Sequence, residues 1–382
     1  MKDKILAIEG LRGWAALMVI LSHGALTFFP YLHSGERPEM KTPLEAWLYD
    51  SPLAFVYSGT AAVCIFFVLS GYILARRILA APDVTRAAAS MLVKRYFRLM
   101  PPVLLSCLMG YALFATDFLD VDRSALSGWI QAYGDFDFTL PGALAEGLWR
   151  AFLLADSSYN WPLWTMKVEL YGSLLVFAVC CILPWLRFKR SFLALFGAAL
   201  VYSRPESEGL LYALFLFGVG LSQGEWTLPT PVAIALAALG IYASAFNEGN
   251  HLHALFDDVH LRLNGAELSR EYLFNAIGGA SLVVAVLHHP RCGRRFSDPW
   301  LVKLGELSFA AYLLHMLVLA SFGAWVFDFV LPRAGYVAAG MVGLVSSVVV
   351  IYAIALPYAR HVDQASVRWS NRLAKRLMHQ SA

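Results

Sequence analysis

The chain has 382 residues, 59% of them hydrophobic and 15% charged, with a mean hydropathy of +0.58. A water-soluble domain cannot carry that composition, and the sequence reads as an all-α polytopic membrane protein. The net charge of +3 is small and unevenly divided among the loops, which excludes the broad basic surface that nucleic-acid binding needs and leaves membrane lipid as the expected environment.

In chain order, about ten apolar segments approach the length that crosses a bilayer: 13–31, 53–75, 99–118, 163–186, 191–203, 208–224, 229–246, 271–289, 304–331 and 335–357. The first follows Lys2 and Lys4 with no small-residue cleavage site after it, so it is read as a retained span. Segment 191–203 is short enough to be re-entrant. Removing that span alone, however, would place Arg291, Arg294, Arg295 and the basic tail on the outside, against the rule that Lys and Arg stay inside. The expectation is therefore ten transmembrane helices with both termini cytoplasmic, and long outer loops at 32–52, 119–162 and 247–270. Residues 1–358 form one membrane domain. Residues 359–382 form a basic amphipathic tail, in which Trp369, Leu373 and Leu377 recur beside Arg368, Arg372 and Arg376, a pattern suited to the inner leaflet. Cys64, Cys107, Cys180 and Cys181 fall in spans and Cys292 in an inner loop, so no structural disulfide is expected.

Ionisable groups in these spans are the candidate functional residues, because each is costly in hydrocarbon. Arg12 and His23 are three helical turns apart, about 16 Å, and share one face. His23 is either bonded to a neighbouring helix or a general base, since a neutral imidazole with an ordinary pKa of about 6.5 can take a hydroxyl proton. Ser70-Gly71 permits close helix packing, and the Ser70 hydroxyl can also bond substrate. Arg95 and Arg98 are neighbours on a helix at the inner surface. They either anchor the span or bind phosphates bidentately, as a donor such as coenzyme A would require. Glu169 lies inside the fourth span about 9 Å from its outer edge, and needs a partner on another span because Lys167 points elsewhere. His315 sits at nearly the depth of His23, near midplane with Glu169 beyond them, so both histidines can line one cavity or simply pack. His251, His253 and His260 match no defined zinc spacing, and no metal is expected. On spacing alone, a proton-coupled transporter or flippase using His23, Glu169 and His315 is the alternative to an enzyme.

These segments resemble the membrane-bound acyltransferase 3 family over nearly the whole chain. The resemblance rests on Arg12 and His23 with ten residues between them and on Arg95-x-x-Arg98. It extends to the Phe-Val-Leu-Ser-Gly-Tyr run ending at Tyr72, to Trp164 with Glu169, and to the Ser-x-x-x-Tyr-Leu-x-His pattern ending at His315. Glu9, Thr165 and Lys167 depart from the usual residues. The resemblance implies transfer of an acyl group, usually acetyl, from cytoplasmic acyl-CoA (acetyl-CoA as donor) to a hydroxyl of a polysaccharide or lipid-linked glycan acceptor, in a bacterial inner membrane. The residues carried over are Arg12, His23, Arg95 and Arg98, and the expected roles are that Arg95 and Arg98, with Ser70, hold the donor, that Arg12 positions it and His23 moves the proton, and that Glu169 and His315 orient or relay. With no long segment after residue 357, transfer is expected to finish within the membrane domain or on a partner protein, without an appended hydrolase-like domain.

Overall fold

The computed structural model describes residues 2–116, 121–204 and 206–379. Residues 117 and 118 of the third expected span and the last three of the tail lie outside them. The chain is an all-α polytopic membrane protein, and a helix occupies each of the apolar segments: α1 (Lys2–Phe28), α2 (Gly59–Leu79), α3 (Val84–Ala115), α4 (Thr165–Ile182), α5 (Lys189–Ser203), α6 (Glu208–Leu221), α7 (Thr230–Ser244), α8 (Arg270–His288), α9 (Pro299–Val318) and α10 (Ala324–Tyr358). Helix is the expected outcome where no water can satisfy backbone N–H and C=O groups. Among the described residues, six helical runs are long and apolar enough to cross a membrane, and α6 and α7 are shorter apolar helices. The run that starts at Pro299 is broken at Gly335, whose φ of 77° only a residue without Cβ adopts readily. A final helix, α11 (Gln364–His379), follows α10 through a π-helical turn and packs along α3.

Side-chain caps set several helix starts. Ser58 accepts from the Ala61 N–H at α2, Asp83 from Arg86 at α3, Ser269 from Tyr272 at α8 and Asp298 from Trp300 at α9. The strands among the described residues are two-residue pieces, Arg262–Leu263 and Ala266–Glu267, closed by Asn264-Gly265 with positive φ at both positions.

Helix α1 lies against α9 and α2, while α4 packs on α2 and α3. The helices that carry the candidate residues thus form one connected group, closed by the contact of α9 with α3. Gly71 on α2 faces α6 so closely that a Cβ there would fall 2.1 Å from the Phe215 carbonyl oxygen, and one at Gly218 would fall 2.2 Å from that of Val68. Small residues at this crossing let two backbones meet, the packing role open to Ser70-Gly71 in the sequence. Gly71→Ala is therefore expected to destabilise the bundle by about 1–3 kcal/mol through overpacking. This will show as a lowered apparent Tm of the detergent-solubilised protein. Gly220→Ala, whose Cβ would meet only Leu193 at 3.8 Å, should leave the Tm unchanged.

Candidate active site

At the basic end of the bundle α1, α2, α3, α4 and α9 enclose a cavity of about 320 Å³. Arg12 and Glu9 enter it from α1, Ser70 from α2, Arg95 and Arg98 from α3, and Glu169 from α4, with Phe66, Phe67 and Leu99 among its apolar walls. Arg12 bonds Glu9 at 3.1 Å, one helical turn away. Arg95 donates to Glu169, and the Ser70 hydroxyl donates to the same carboxylate oxygen at 2.8 Å. The partner of Glu169 is thus on another helix, and Lys167 bonds Glu208 at 2.8 Å instead. Three guanidinium groups face two carboxylates around this cavity. Among the described residues Arg98 has no carboxylate at ion-pair distance, and the Nε–H groups of Arg95 and Arg98 have no hydrogen-bond partner. The cavity is thus built to take an anion, with apolar walls beside it for an uncharged arm.

The two histidines lie beyond this cavity and touch each other. His23 Nδ1 is 2.7 Å from His315 Nε2, with the rings stacked at 4.9 Å. His315 Nδ1 is 2.6 Å from the Tyr312 carbonyl oxygen. A carbonyl only accepts, so His315 carries its proton on Nδ1. With both rings uncharged, its Nε2 accepts from the Nδ1–H of His23, and His23 Nε2 is left with a lone pair. His315 is fully buried and His23 partly accessible. Trp129 stacks on the other side of the His23 ring at 5.5 Å, and Trp161 meets Trp129 edge-on at 4.8 Å.

Between the cavity and the histidine pair stand Thr165 and Tyr312. Both line the cavity, and their hydroxyls are 2.8 Å apart; each is also 2.9 Å from the Pro162 carbonyl. The Tyr312 ring in turn packs against His315. Neither residue was singled out as functional from the sequence, although Tyr312 stands inside the pattern that ends at His315 and Thr165 is one of the departures noted there. Nothing in the sequence marks Trp129.

One placement differs from the sequence-based depths, which put Glu169 beyond the histidines. The structure puts it beside Arg95, on the opposite side of the Thr165–Tyr312 layer. The depth was counted from residue 163 as if that were the outer edge, but the chain is already inside the bundle before it. Asn160 is fully buried and donates to the Leu313 carbonyl at 2.8 Å. Buried Glu146 accepts from the N–H groups of Ser158 and Tyr159 at 2.8 and 3.1 Å, and Tyr133 donates to the Tyr159 carbonyl. These bonds draw the loop inward and start α4 deep. In the outer loop, His253 bonds Asn250 and the Tyr242 carbonyl, a local structural role.

A helical membrane bundle with a guanidinium-lined cavity at its basic end and a hydrogen-bonded histidine pair behind it has the parts of a membrane enzyme. The chain belongs to the acyltransferase 3 family, whose model, described as an acyltransferase domain, matches residues 5–356. It is an acyl-transferring membrane enzyme, which removes the transporter alternative. It is 25% identical to acyltransferase clz18 of Cochliobolus lunatus, over 86% of each chain. It is 23% identical to O-acetyltransferase PaAT-1 of Phomopsis amygdali, over 83% of this chain and 72% of the relative. With a putative membrane-bound transacylase, BcsY of Komagataeibacter xylinus, it shares 24% identity over 82% and 72%. No solved structure matches it with significance.

The side chains of Arg95 and Glu169 are 9% and 15% exposed, so removing one partner strands a buried charge at a cost of about 3–5 kcal/mol. Glu169→Ala should sharply reduce recovery of folded protein, measured by size-exclusion chromatography in detergent. Arg95→Met combined with Glu169→Leu should restore recovery without restoring acyl transfer. Equal recovery of Glu169→Ala and wild type would contradict the pairing.

Proposed function

We propose that this enzyme transfers an acetyl group from cytoplasmic acetyl-CoA to a hydroxyl of a cell-surface polysaccharide or lipid-linked glycan precursor in a bacterial inner membrane. The observation that carries this reading is the guanidinium-lined cavity set one residue layer away from the His23–His315 pair. Arg98 and Arg12 supply charge for the donor's phosphates. Arg95 adds its free Nε–H while Glu169 and Ser70 hold it in place. The apolar wall then takes the uncharged arm, which directs the thioester towards Thr165 and Tyr312.

His23 acts as general base. Its Nε2 takes the proton of the acceptor hydroxyl, the oxygen forms a bond to the thioester carbonyl carbon, and the carbon–sulfur bond breaks. The proton passes to the departing thiolate, giving free CoA and the O-acetyl ester. His315 fixes the reactive tautomer: its lone pair on Nε2 holds the proton of His23 on Nδ1. Trp129 and Trp161 stand on the acceptor side, where flat aromatic faces suit a sugar ring.

The name of the fungal O-acetyltransferase supports acetyl chemistry, that of the bacterial transacylase supports acyl transfer at a membrane, and the inner-side bias of Lys and Arg supports entry of the donor from the cytoplasm. Membranes carrying His23→Ala, inserted at wild-type level, should lose acetyl transfer from labelled acetyl-CoA to surface glycans by about 10²–10⁴-fold, the usual share of a general base. Full transfer by that variant would overturn the assignment of the base.

A further inference from the structure

Helix α3 carries two prolines, Pro101 and Pro102, one turn after Arg98. A proline has no N–H, so the carbonyls four residues earlier lose their helical donors. Those are the carbonyls of Phe97 and Arg98, at the end of the Arg95-x-x-Arg98 turn. The Ser366 hydroxyl of α11 reaches both, at 2.5 Å from the Arg98 oxygen and 3.2 Å from that of Phe97. Ser366 is 3% exposed, so water does not compete for these acceptors. Two further contacts fix the same junction. Trp369 packs edge-on against Phe97 at 5.4 Å, and Tyr358 donates to the Pro102 carbonyl.

We propose that Ser366 is a positioning residue for the donor site: by donating its one hydroxyl proton to the Arg98 carbonyl that Pro102 leaves open, it holds the turn that aims Arg95 and Arg98 into the cavity. This rests on the reading that those arginines bind acyl-CoA. Helix α11 thus completes the donor site as well as carrying a basic amphipathic face. Ser366 lies beyond the residues 5–356 that match the family.

The test measures kcat and KM for acetyl-CoA in full-length protein, normalised to folded enzyme. Ser366→Ala should raise KM about fivefold, the worth of one hydrogen bond, with kcat changed less than about twofold. Ser366→Thr, which keeps the hydroxyl, should return KM to the wild-type value. In a Pro102→Ala background residue 102 supplies its own N–H to the Arg98 carbonyl, and there Ser366→Ala should add nothing. If Ser366→Ala alone is not recovered folded, its recovery in the Pro102→Ala background without a further rise in KM supports the brace, and failure in both backgrounds overturns it. An equal KM rise in both backgrounds also overturns it. Arg98→Ala separates the two levels. A raised KM there with an unchanged KM in Ser366→Ala defeats the brace alone, whereas an unchanged KM in Arg98→Ala defeats the donor reading and the brace together.

Discussion

A charged or strongly polar side chain inside an apolar helix bundle has to be matched by a partner, because neither lipid nor packed hydrocarbon can solvate it. In this protein two such matches organise everything around them. Arg95 and Ser70 answer Glu169, tying α3 and α2 to α4. His315 answers His23, tying α9 to α1. Because these five helices pack in a connected ring, the pairs that satisfy the buried polar groups also join the walls of one cavity to the histidine pair behind it. Structural stability and the geometry of the site therefore rest on the same contacts.

The basic cavity and the histidine pair are distinct parts of the site: the cavity carries the guanidinium groups, while the pair packs behind Tyr312 beside aromatic rings from the loop between α3 and α4. The Thr165–Tyr312 layer is held by the two hydroxyls and by the Pro162 backbone carbonyl that both approach. The tautomer chain from the Tyr312 carbonyl through His315 to His23 leaves a single unprotonated nitrogen on the partly accessible ring, which is the property a general base needs.

The helices were legible in the sequence because lipid permits few alternatives for a long apolar segment. The residues Arg12, His23, Ser70, Arg95, Arg98, Glu169 and His315 were legible because each is conspicuous in or beside an apolar run. What periodicity could not reveal was how they combine. Depth counted along α4 failed because the loop before it is folded into the bundle by Glu146, Tyr133 and Asn160, contacts made between residues far apart in the chain. Ser366 was invisible for a related reason. A serine on an amphipathic tail carries no signal until the carbonyls opened by Pro101 and Pro102 are seen beneath it. Tyr312 and Trp129 likewise read as ordinary aromatic residues of a membrane protein.

The central claim is that donor and acceptor reach one transfer site from opposite sides of the Thr165–Tyr312 layer, with the donor entering at the end bearing Arg95 and Arg98. Sealed vesicles of uniform protein orientation, supplied with labelled acetyl-CoA on one face only and with glycan acceptor on the other, test it most directly. The account predicts labelled acceptor only when acetyl-CoA is on the face that carries the basic loops. Transfer when acetyl-CoA is confined to the opposite face would contradict it.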